Sequence, residues 1–153
     1  QVHDILIDLK RKHTNLVIYS LLSDGADRLA VKEGIKLNIP FIAALPMPKD
    51  KYIMDFNDDS LKEFDYLLSQ AQEIVTTSLC SGSTLDEISS YSNQRDLQYE
   101  ACGHHIADQS DSLIALWDGE YIGLTGGTGE IVKYYINRQN HKLHHLLVAR
   151  ISK

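Results

Sequence analysis

Residues 15–37 read NLVIYSLLSDGADRLAVKEGIKL, and the fold follows from this stretch. Asn15 to Leu22 is a mostly apolar run, Ser23 to Arg28 is a polar turn around Gly25, and apolar residues at helical spacing then continue to about Leu37, before Pro40. The order is strand, turn, helix. A strand that is apolar almost throughout, rather than at every second position, is covered on both faces, as in a parallel sheet wrapped by helices.

The flanking sequence repeats this alternation. Val2, Ile5, Leu6 and Leu9 recur at helical spacing, so the chain opens in an amphipathic helix. Phe41 to Leu45 reads as a second strand, stopped by Pro46 and Pro48, which cannot donate to a ladder. An irregular stretch with Lys49, Tyr52, Asp55 and Phe56 follows. The Ser60-x-x-Glu63 spacing then predicts a capping box, and Leu61, Phe64, Leu67, Leu68 and Ala71 form the inward stripe of its helix. Ile74 to Thr77 is a short strand. Ser78 to Gln94 is the longest loop, of a length that suggests a mobile cover over a site. A helix from about Arg95 to Gln109, burying Tyr99, Cys102 and Ile106, precedes the strand Ser112 to Trp117. A glycine loop, a helix carrying Ile131, Val132, Tyr135 and Ile136, and a strand from Leu143 to Ile151 complete the order. The expected fold is α/β: a single domain, a Rossmann-like three-layer sandwich with a mainly parallel sheet and helices on both faces. Its ligand crevice is expected at the carboxyl ends of the strands.

Composition narrows the function. The chain has 153 residues, 43% of them apolar, enough for one substantial core. No run approaches the ~18 apolar residues of a spanning helix, and no signal-peptide order opens the chain, so a soluble cytoplasmic protein is expected. The net charge of −6 argues against a nucleic-acid polymer as partner, because proteins that neutralise many phosphates carry a basic face. One mononucleotide needs only a few backbone N–H groups and is not excluded. Cys80 and Cys102 lack metal-ligand spacing and are too few for a disulfide framework. Among the histidines, His144 and His145 point to opposite faces of a strand, and His104 and His105 are about 100° apart on a helix, so no metal site is expected.

The loop Thr125-Gly126-Gly127-Thr128-Gly129-Glu130 leads from a strand into a helix, where small residues let an anion approach the backbone and free N–H groups face it. Gly126, Gly127, Thr128 and Gly129 are therefore candidate phosphate contacts; the competing reading is a plain loop in which Thr128 caps the helix. Gly25 and Ala26 keep a second such turn small. Asp27 is a candidate for a ribose hydroxyl and Arg28 for the ligand, against a reading in which Asp24 or Asp27 stabilises its helix start and Arg28 pairs with an exposed acid. Pro46 forms a rigid pocket wall, with Tyr52 or Phe56 as lid. Arg95 and Tyr99 are placed to meet a phosphate or stack on a base, with core packing as the alternative for Tyr99, and Asp118 ends a strand at the ligand edge.

Asp24-Gly25-Ala26-Asp27-Arg28-Leu29-Ala30, Leu45-Pro46-Met47-Pro48, Tyr99-Glu100-Ala101-Cys102-Gly103, Ser110 to Gly119 and the Gly126-Gly127-Thr128 loop together resemble the SLOG superfamily. That superfamily includes DNA-processing proteins, the cytokinin-activating Lonely Guy enzymes and ligand-sensing domains of channels and bacterial defence effectors. The resemblance covers most of the chain and implies a Rossmann-like domain holding a nucleotide-derived signal. It also implies a strand and glycine turn ahead of the opening helix. The phosphoribohydrolase branch carries Pro-Gly-Gly-x-Gly-Thr-x-x-Glu; here Thr125 replaces the proline, Glu130 the threonine and Lys133 the glutamate. A sensor domain, homo-oligomeric, without a cofactor and serving an effector elsewhere in its full-length chain, is therefore the expectation. The alternative is a nucleoside-monophosphate hydrolase using Glu130. Single-stranded DNA binding is the third reading, and the acidic balance disfavours it.

Overall fold

The computed structural model describes residues 1–138 and 142–148. Helices and strands alternate in the order α1 (Val2–Lys12), β1 (Ile18–Ser20), α2 (Ala26–Lys36), β2 (Phe41–Leu45), α3 (Lys49–Tyr52), α4 (Asp58–Leu68), β3 (Glu73–Thr76), α5 (Asn93–Gln109), β4 (Ser112–Trp117), α6 (Thr128–Ile136) and β5 (Lys142–Leu147). The chain is thus α/β with parallel strands surrounded by helices, as the alternating pattern predicts. The strands form two sheets, β1-β2-β3 and β4-β5, parallel in every pairing.

Strand β2 shows why its sequence is apolar throughout. Successive side chains point to opposite faces, and helices cover both. Phe41, Ala43 and Leu45 pack with Val31 of α2 and with Phe64 and Leu67 of α4. Ala44 packs instead with Cys102 and Ile106 of α5. A separate cluster joins Val2 and Leu6 of α1 to Ile18 of β1, Ile114 and Leu116 of β4 and Leu146 of β5, so α1 spans both sheets.

Several local expectations change. Strand β1 is shorter than the apolar run, because the chain turns after Ser20: Leu22 is left-handed at φ 60° and its N–H donates to the Ser20 hydroxyl at 3.0 Å. The capping box at Ser60 does not form. Asn57 caps α4, accepting from the Asp59 and Ser60 N–H groups at 3.1 and 2.9 Å, so the helix starts earlier and Ser60 lies inside it. Tyr52 is no lid: it is fully buried and its hydroxyl donates to the Leu21 carbonyl at 3.1 Å. Phe56 is likewise packed against Tyr52 and Phe64, with ring centroids 5.0 Å from each. The long loop is tied to the body through fully buried Ile88, and the Gln98 amide donates to the Pro46 and Ser78 carbonyls at 2.8 and 3.2 Å. The final strand is seen over Lys142–Leu147 and stops before Val148; His141 and the rest of the predicted extension, 149–151, fall outside the described residues.

The α5–α6 crossing is set by a glycine. A Cβ on Gly103 would lie 2.4 Å from Ile131 Cδ1 and 2.8 Å from its Cγ1. Gly103→Val is expected to destabilise the protein by about 1–3 kcal/mol in urea unfolding, as overpacking does. Adding Ile131→Ala should recover part of that loss; no recovery would mean that the two helices do not meet there.

Candidate functional site

A cavity of about 490 Å³ runs between β1 and β4. Val17 to Leu21 line one side and Asp111 to Leu116 the other, with Leu6 and Leu9 of α1 and Gly103 and Ile106 of α5 contributing from the helix layers. Its wall is polar at both ends, with Asn15, Gln109, Ser110 and Asp111 before the strands and Ser20, Ser23, Asp27 and Thr128 past their carboxyl ends. The latter is the edge at which parallel α/β sheets bind ligands.

Two helices begin at that edge. Helix α2 starts after Gly25, at φ 92°, and α6 starts after Gly127, and neither has a side-chain cap. Helices α4 and α5, in contrast, are capped by Asn57 and Ser92. The first N–H groups of a helix have no carbonyl one turn behind them, and the macrodipole adds partial positive charge there. Ala26 and Asp27 of α2 and Thr128 of α6 line the same cavity, so two such ends converge on it. Thr128 is the first residue of its helix and not its cap, which removes the purely structural role considered for its hydroxyl.

Gly126 presses the loop onto α5. At φ 70°, a Cβ there would come within 2.9 Å of the Glu100 nitrogen and of Tyr99 Cβ. A side chain would push the loop off the helix, so glycine is required on both conformational and steric grounds.

Asp27 is the ionisable group of this wall with a built environment. Its Oδ2 accepts the Ser23 hydroxyl at 2.7 Å and, less closely, the Ser23 N–H at 3.4 Å. Burial raises its pKa above the ordinary aspartate value, and the Ser23 hydrogen bonds oppose that rise without cancelling it. Tyr99 also lines the cavity while its hydroxyl donates to Asp55. Burial, reinforced by the Asp55 carboxylate, pushes its phenol well above the usual range, so it stays neutral.

Of the sequence-derived residues, the structure therefore brings Ala26, Asp27, Tyr99, Gly126 and Thr128 to one cavity, with Gly25 and Gly127 as the caps behind two of them. The others lie elsewhere. Arg28 and Arg95 are almost fully buried and occupied: Arg28 donates to the Leu22 and Ser60 carbonyls, Arg95 to those of Ile88 and Lys51 and to Asp55. Pro46 is held behind the wall, its carbonyl bonded to Gln98. Asp118 folds back on its own turn and accepts the Glu120 N–H at 3.0 Å. Gly129 lies against Trp117, whose ring a Cβ would approach to 3.0 Å. Glu130 turns onto α5, where its Oε1 lies 3.0 Å from His104 Nε2. Sequence reading missed Ser20, Ser23 and left-handed Leu22; a short polar residue breaking an apolar run just before a glycine turn was the available signal for the serines.

No known family model matches the chain, and no curated protein does either.

The raised Asp27 pKa fixes a pH dependence. The native state holds this proton more tightly than the unfolded chain, so the group's contribution to stability falls as pH rises from the unfolded aspartate pKa through the native one, and is constant above it. Asp27→Asn removes that loss while keeping an acceptor for Ser23. The variant is expected to melt higher than the wild type at neutral pH, with the gap closing in acid. A variant that melts lower at every pH would place Asp27 among the stabilising carboxylates instead.

Proposed function

We propose that this domain binds a small nucleotide-derived molecule, and acts as its sensor, at the cavity between β1 and β4. The observation that supports it is the convergence of two helix starts, both following glycine and both without side-chain caps, on one cavity at the carboxyl ends of parallel strands. A phosphate would meet the start of α6 at Thr128, and a ribose hydroxyl Asp27 or Ser23. The apolar depth of the cavity suits a base. The resemblance to SLOG domains suggests the same ligand class. The hydrolase alternative has no comparable support, because the Glu130 carboxylate faces His104 across α5 and α6.

Thermal melting against nucleoside monophosphates, ADP-ribose, its cyclic forms, and cyclic mono- and oligonucleotides tests the ligand. A true ligand at a hundredfold excess over its Kd adds ~2.7 kcal/mol, a rise of roughly 5 to 10 °C for a domain of this size. Gly127→Asp is the diagnostic variant. Aspartate suits a helix cap and should leave the free protein at least as stable after a slight shift of the Leu124 carbonyl, 3.1 Å from its Cβ, yet its charge would repel a phosphate. Loss of the ligand response in a stable variant supports the reading. An unchanged response would remove the α6 start from the site.

A further inference from the structure

Helices α5 and α6 meet along a polar seam whose two ends differ in charge. At the far end Asp108 accepts the Tyr134 hydroxyl at 2.9 Å and pairs with Arg138, so that carboxylate has its cation. At the near end, Glu100 and His104 stand one turn apart on α5, and Glu130 reaches them from the first turn of α6. One ligand-type atom from each lies within 4.8 Å of the others. Two carboxylates here face a single imidazole.

Two further observations point to a missing positive charge. Glu130 uses Oε1 on His104, but its Oε2 is buried and has no hydrogen-bond partner. The Glu100 carboxylate makes no hydrogen bond or ion pair among the described residues. A buried carboxylate oxygen without a donor is costly, and a second carboxylate beside it adds repulsion. The imidazole is also preset: the His104 ring stacks on Tyr134 with centroids 3.8 Å apart, which holds Nε2 toward the carboxylates.

We infer that Glu100, His104 and Glu130 form a binding site for a divalent first-row transition ion. Oxygen and imidazole ligands around zinc lie at about 2.0–2.2 Å from the metal, which brings them closer together than the present spread; half-buried Glu100, tied to no other group among the described residues, is the side chain that would turn to close it. The partial exposure of the three side chains leaves room for water as the remaining ligand. An imidazole among the donors favours such an ion over magnesium or calcium, which prefer oxygen alone. The assignment does not depend on the nucleotide reading.

Titration calorimetry of untagged protein with Zn2+ tests it, with Co2+ absorption as a second readout. One ion per chain is expected, and Glu100→Gln, His104→Gln and Glu130→Gln should each weaken it by about tenfold or more, as loss of a ligand from a three-residue set does. Glu100 holds nothing else, so its variant should fold and separate ligand loss from unfolding; circular dichroism checks this. His144→Gln and His145→Gln should leave the affinity unchanged, which assigns the ion to the helix seam. No binding at millimolar zinc, equal affinity in a folded Glu100→Gln protein, or equally tight magnesium binding would overturn the inference.

Discussion

The carboxyl edge of the first sheet depends on one buried guanidinium. Arg28 is 1% exposed, yet it touches three separate parts of the chain. Its Nε donates to the Leu22 carbonyl at 2.9 Å, and an Nη donates to the Ser60 carbonyl at 2.9 Å and lies 2.7 and 3.2 Å from Asp24 and Glu63. Its plane stands over the Phe56 ring at 4.7 Å. A charge in such a place costs several kcal/mol unless its partners are held in position, so the turn after β1, the start of α2 and the first turn of α4 are fixed relative to one another. The left-handed backbone of Leu22 persists because Arg28 holds its carbonyl, Ser20 its N–H, and the core its fully buried side chain.

Arg95 repeats the device close by, through Asp55, the neighbour of the Phe56 that Arg28 covers. Its guanidinium fastens Ile88 of the long loop and Lys51 of α3, and shares Asp55 with the Tyr99 hydroxyl. Tyr99 thereby reaches the cavity wall with its orientation set by a carboxylate outside it. The two arginines that sequence reading offered to a ligand instead make the rim rigid. Composition alone does not separate the two roles: an arginine beside a strand-end glycine looks the same whether its head points to solvent or to a neighbouring carbonyl.

What the sequence made legible was local. The run from Asn15 to Leu22 and the run from Phe41 to Leu45 announced buried parallel strands, and Gly25 and Gly127 marked the helix starts that now frame the cavity. Boundaries governed by competition were less visible. Asn57 and Ser60 are both good caps, and Ser60 lost because its hydroxyl bonds Asp24 at 2.7 Å and its carbonyl serves Arg28. The meeting of His104 with Glu130 was not legible at all. It joins residues 26 apart in sequence, on helices whose crossing depends on the absence of a side chain at Gly103.

The distribution of charge around the cavity sharpens the proposed ligand. Among the described residues, no lysine or arginine lines it, and both nearby arginines are already balanced by Asp24, Glu63 and Asp55. Attraction for an anion then rests on backbone N–H groups and two helix dipoles, each equivalent to about half a charge at its start and effective only over the first turn. Asp27, on the same wall, works against negative charge whenever it is ionised. On the proposed reading, such a site suits a single phosphate with hydroxyl groups beside it and discriminates against polyphosphates, whose further charges would meet the acidic surface of a chain with net charge −6. The acidity that argues against a nucleic-acid partner therefore also limits the size of anion that a site of this construction can hold.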